Sequence, residues 1–228
     1  MRELQTGLWH WQAPHPEWEG VLAAGRPHEP WDKLVSSYAL VDDDDRLLLF
    51  DPLAVPSEIE ELAAGRETAI VLTAPWHERD TRNLVERHHW PVFTPPPESE
   101  DDLMEKWGVT REQAAGGSPD LRWLLAGGGD YRAVSAGERL PGGAEAFPSR
   151  SPQEVVFWIE SRGAVAVGDA LADLGAGLEL NAWPDERGGI TREQFAERLR
   201  VLLSLPVELV LPAHGAPTDR AALERALS

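Results

Sequence analysis

The chain has 228 residues, 42% hydrophobic and 26% charged, an ordinary globular balance that excludes a disordered or fibrous protein. Its 21 basic and 39 acidic side chains leave a formal net charge of −18, which argues against general affinity for nucleic acid or an anionic membrane surface. No apolar run approaches the roughly 18–20 residues of a membrane helix, the opening segment lacks a secretory signal, and the absence of cysteine excludes disulfides and thiolate chemistry.

Taken in chain order, the pattern alternates strands and helices. The Trp- and Pro-rich opening carries His10, His15 and His28, read as packing and surface residues, with a pocket mouth as the alternative. Ser36 to Val41 and Arg46 to Phe50 read as strands around the acidic turn Asp42-Asp43-Asp44-Asp45, whose carboxylates suit a solvated hairpin better than a cation site. Ser57-Glu58-Ile59-Glu60 reads as a capping box opening a helix to about Ala64, with Gly65 as its stop. Thr68 to Thr73 is a short apolar run of the kind buried on both sheet faces. A polar helix from Glu78 to His88 follows, then a strand from Pro91 to Phe93, so a site is expected in the loop after Thr73.

Ser99 to Ala115 reads as helical and the glycine-rich stretch to Gly129 as a loop. Further strands are predicted at Tyr131 to Val134, Glu154 to Ile159, Ala164 to Val167 and Val207 to Leu211. Thr191-Arg192-Glu193-Gln194 is a second capping box, and a short helix from Asp219 ends the chain. With no internal repeat and no linker, residues 1–228 read as one domain; a cytoplasmic location is the simplest expectation, though the absence of cysteine also suits an oxidising space.

Three predicted strands end in polar residues suited to metal or acid–base work: Thr73 before His77-Glu78-Arg79-Asp80, Val167 before Gly168-Asp169, and Leu211 before His214-Gly215. In this order, and with Leu48-Leu49-Phe50-Asp51-Pro52 ahead of them, they resemble the landmarks of the metallo-β-lactamase-fold hydrolases over most of the chain. That resemblance implies an α/β fold, a four-layer αββα sandwich of two mixed sheets packed face to face with helices outside.

The family's metal loop reads Thr-His-x-His-x-Asp-His, and this chain departs from it. Aligned without a gap, the ligand places fall on Ala74, Trp76, Glu78 and Arg79; with one inserted residue His77 takes the second place, Arg79 the aspartate place and Asp80 the last. Arg150 stands where the middle histidine would be. His77, Asp169 and His214 are then the remaining metal ligands, enough for one divalent ion (zinc first, iron or manganese otherwise) or for none, but not for two.

Two readings follow. In one, the protein is a hydrolase with a mononuclear site acting on an ester, thioester, lactone or phosphoester, with Asp80 or Glu78 as proton acceptor. In the other, it is a metal-free relative binding a small anion through the guanidiniums of Arg79 and Arg150, although each arginine also suits a structural ion pair. A homodimer buried through some of the 10 tryptophans is the remaining partner reading.

Overall fold

The computed structural model describes residues 1–15, 33–108, 110–116, 121–181 and 190–228, so Trp18, His28, Trp31 and Trp183 lie outside the described residues. The chain opens with an antiparallel hairpin of β1 (Arg2–Gln5) and β2 (Leu8–Pro14), where sequence reading placed no strand. The polar His10 and Gln12 dilute the apolar alternation of β2, and full-length pairing with β3 (Leu34–Val41) supplies what local pattern lacks. The Asp42–Asp45 turn leads antiparallel into β4 (Leu47–Phe50). Asp42 accepts the backbone N–H groups of Asp44 and Arg46 at 2.9 Å each and pairs with the Arg46 side chain at 2.8 Å, so this is a self-capped turn.

From β4 onward the pairing becomes parallel. Helix α1 (Ser57–Ala63) crosses over to β5 (Thr68–Val71), and α2 (Thr81–His88) crosses over to β6 (Val92–Thr94). The box predicted at Ser57 does not form: Pro56 is the N-cap, Ser57 is already helical, and its hydroxyl donates to Glu58 at 3.3 Å. The expected helix over 99–115 is two, α3 (Glu100–Trp107) and α4 (Arg111–Gly116), because Gly108 adopts a left-handed conformation that ends the first. A π-helical stretch over Leu124–Gly128, read from sequence as loop, precedes β7 (Tyr131–Ala133), which completes a seven-stranded sheet in chain order.

The second sheet has five strands in the order β14-β13-β10-β9-β8. These are β8 (Ala144–Pro148), β9 (Val155–Ile159), β10 (Ala164–Gly168), β13 (Leu209–Pro212) and β14 (Thr218–Asp219). A hairpin of β11 (Leu171–Asp173) and β12 (Leu178–Leu180) lies apart from both sheets, and helices α5 (Arg192–Leu199) and α6 (Arg220–Ala226) follow in turn.

Strand alternation explains the layers. Leu48, Phe50, Val71, Val155, Phe157 and Ile159 meet between the sheets, with Phe50 and Phe157 edge to face at 6.0 Å. The intervening Val156, Trp158 and Val165 point outward onto Phe195, Leu199 and Leu223 of α5 and α6. On the far side Ile70 meets Leu84 and Val85 of α2, and Leu47 and Leu49 meet Ile59 of α1. The result is the αββα sandwich expected from sequence. Among the described residues no helix is long and apolar enough to cross a membrane.

Candidate functional site

The site forms where strands of both sheets end. On the seven-stranded sheet, Asp51 follows β4 with a left-handed φ of 46° that turns its carboxylate inward. That carboxylate accepts the Thr73 N–H at 2.8 Å and the Thr73 hydroxyl at 2.7 Å, and faces His77 Nδ1 at 2.9 Å. Asp51 is only 4% exposed, so these donors replace water. Burial alone would raise its pKa, but His77, Arg79 and Thr73 together hold it below the usual carboxylate range.

On the five-stranded sheet, Asp169 follows β10 and His214 follows β13. Gly168 has φ 53°, and a Cβ there would stand 2.5 Å from Thr73 Oγ1, so the Gly-Asp pair is what lets the two sheet ends close on each other. Gly215 has φ 100°, with a would-be Cβ 2.7 Å from Asp173, which explains the glycine after His214.

Asp169 joins the halves. Its Oδ2 accepts the Trp76 indole N–H at 3.0 Å. Its Oδ1 lies 3.1 Å from His77 Nε2 and 3.4 Å from His214 Nε2. Burial pushes the Asp169 carboxyl up, but His77, His214 and the indole N–H outweigh it and hold the group well below the carboxylate range.

His77 therefore has a carboxylate against each ring nitrogen. Burial pulls its pKa down, yet Asp169 and Asp51 overcome this and raise it to about 10. A neutral imidazole carries one N–H and no charge; the imidazolium donates to Asp51 through Nδ1 and faces Asp169 as an ion pair through Nε2. His15, which sequence reading left among packing and surface residues, is electrostatically coupled to the same cluster. Its pKa falls to about 4 through burial first and then Arg79, His214 and His77, so its ring is neutral. Its sequence neighbourhood gave no motif; the pairing of β2 with β3 places it, its N–H donating to the Lys33 carbonyl at 2.8 Å.

The structure brings together His77, Asp169 and His214, keeps Arg79 beside them, and sends Glu78, Asp80 and Arg150 to other partners. Arg79 donates to the carbonyls of Ser36 and Asp51, at 2.9 and 2.7 Å. Glu78, expected as a proton acceptor, spends both oxygens on the Trp123 indole and the Leu121 N–H, at 2.5 and 3.0 Å, fastening that segment to the metal-loop equivalent. Asp80, the other expected acceptor, takes the Ala54 N–H at 2.5 Å. Arg150 reaches the Asn181 carbonyl at 3.4 Å and pairs with buried Glu154 at 3.3 Å. Burial raises the Glu154 carboxyl, Arg150 lowers it in part, and the Ser149 hydroxyl donates to it at 2.6 Å.

This donor set departs from the family's metal loop, although His77 Nε2 and His214 Nε2 meet at Asp169 Oδ1, 3.1 and 3.4 Å away. Among the described residues no group of three or more His, Asp or Glu side chains is arranged to hold an ion. Trp76 has an N–H and no lone pair in the ligand direction, and His77 meets carboxylates through both nitrogens.

Comparison with solved structures places this architecture. TTHA1623, solved in a di-iron-bound form, is 25% identical with a TM-score of 0.56, over 84% of this chain and 93% of that one. ST1585 from Sulfolobus tokodaii, an archaeal metallo-beta-lactamase superfamily protein, is 16% identical with a TM-score of 0.62, over 97% and 84%. The metallo-beta-lactamase family protein TTHA1429 from Thermus thermophilus is 18% identical with a TM-score of 0.58, over 98% and 78%. No family model matches the chain and no curated protein matches it. The chain has the metallo-β-lactamase fold, with a divergent ligand loop.

Proposed function

We propose that the chain is a metal-independent protein of this fold that binds a small polar molecule at the strand ends, with His77 held as an imidazolium between two carboxylates. The observation that carries this reading is His77 itself, 2.9 Å from Asp51 and 3.1 Å from Asp169 through its two nitrogens. Trp76, 39% exposed beside Asp169, and the neutral ring of His15 are the groups a ligand would meet. The guanidiniums of Arg79 and Arg150 support the cleft from within, since both donate to protein acceptors.

A mononuclear hydrolase on His77, Asp169 and His214 is the competing reading. It is favoured by the two imidazole Nε2 atoms meeting at one buried oxygen, Asp169 Oδ1, which has no well-aligned hydrogen bond. Metal analysis after expression in zinc-, iron- and manganese-supplemented medium separates the two. Metal-independence predicts less than about 0.1 equivalent of any of these metals, whereas about one equivalent that His214→Ala removes would establish the hydrolase reading instead.

A further inference from the structure

Beside the first hairpin a cleft of about 310 Å³ opens, lined by Arg2, His10, Gln12 and, two and three positions past His214, by Ala216 and Pro217 among others. Arg2 and His10 are paired across β1 and β2, so their side chains leave the same sheet face as neighbours. Arg2 is exposed and has no ion pair among the described residues.

The hydrogen bonding fixes how His10 presents itself. The Ser36 hydroxyl donates its single proton to the Gly215 carbonyl at 2.6 Å and accepts from the Gln12 amide at 3.2 Å. His10 Nε2 lies 2.9 Å from the same oxygen, which has no proton left to give, so Nε2 must be the donor. The neutral ring then carries its proton on Nε2 and leaves Nδ1 as an acceptor, with no hydrogen-bond partner among the described residues. Burial, with help from Arg2, keeps that ring neutral, its pKa lowered to about 4. Tyr38 stacks on the ring at 5.1 Å and holds its plane.

We propose that this cleft is a separate ligand site for a small molecule carrying a carboxylate beside an N–H or O–H donor, the anion on Arg2 and the donor on His10 Nδ1. Within a chain of net charge −18, a guanidinium with no ion pair among the described residues, set in a cleft, is where an anion is locally favoured. Neutral His10 contributes an acceptor that a bare phosphate or acetate leaves unused, so the ligand class is the bifunctional one.

N-acetylglycine, acetate and acetamide serve as probes, followed by nitrogen-15 NMR of the His10 ring and the β1–β2 amides in the intact protein. Saturable binding is expected for N-acetylglycine, at least about fivefold tighter than for acetate or acetamide, and Arg2→Ala should weaken it about fivefold. His10→Ala should remove the advantage over acetate; because it also unstacks Tyr38, the exposed Arg2→Ala variant carries the decision if that protein does not fold. Non-saturating shifts to about 50 mM, unchanged affinity in Arg2→Ala, or a free-state ring protonated on Nδ1 would each overturn the proposal.

Discussion

His77 concentrates the energetics of the site because it is 4% exposed and touches two carboxylates from different sheets. Its folded-state pKa of about 10 stands above the ordinary value of 6.5. Its contribution to stability is therefore complete below about pH 6.5 and is lost as pH rises through about 10. The lowered carboxyls of Asp51 and Asp169 work in the other direction: their contribution is present above the carboxylate range and disappears as pH falls. Urea unfolding of the native chain should accordingly lose midpoint steadily between about pH 7 and pH 10, whereas His77→Gln should be flat over that window. The substitution itself should cost about 3–5 kcal/mol near neutrality, since it removes the positive charge set between two buried carboxylates. Equal slopes for the two proteins would show that His77 is not held as an imidazolium.

At the scale of elements, the two capping boxes read from sequence had different fates. Thr191 accepts the Gln194 N–H at 3.2 Å, and Gln194 returns to the Thr191 N–H at 2.8 Å, so α5 begins as its sequence specifies. Ser57 satisfies the same pattern one residue too late, because Pro56 already occupies the cap position of α1. Thr191→Ala should thus cost about 1 kcal/mol in thermal or urea unfolding, and Ser57→Ala less than about 0.5 kcal/mol. A comparable loss in both would mean that the Ser57 hydroxyl caps after all. The hairpin of β1 and β2 makes the complementary point, since a strand weakly patterned along its own length is made by the neighbour it pairs with.

For the whole molecule, the inter-sheet layer is the common support of both halves of the site. Phe157 is fully buried, and its β9 neighbour Val155 donates its N–H to the Thr73 carbonyl at 2.9 Å, so packing between sheets and placement of the metal-loop equivalent are coupled. Phe157→Ala should cost about 3–5 kcal/mol with an unchanged dependence on urea concentration. It should also shift the His77 ring signals in NMR, because the Thr73 end of β5 would relax; unmoved signals would show that the layer and the site are independent.

What the amino-acid order determined by itself was local: the periods of β4, β5, β9 and β10, the cap of α5, and the strand-end landmarks Asp51, Gly168-Asp169 and His214-Gly215. These follow from side chains within a few positions of one another, and they sufficed for the sandwich and for the convergence of His77, Asp169 and His214. Only tertiary structure decided what those groups do. The Asp51–His77 and Trp76–Asp169 contacts span 26 and 93 positions, and they set protonation and donor direction. Glu78, Asp80 and Arg150 could serve a cleft by their chemistry alone. Folding instead aimed them at Leu121, Trp123, Ala54 and Glu154, because a partly buried charge goes to whichever partner the packed chain brings within reach.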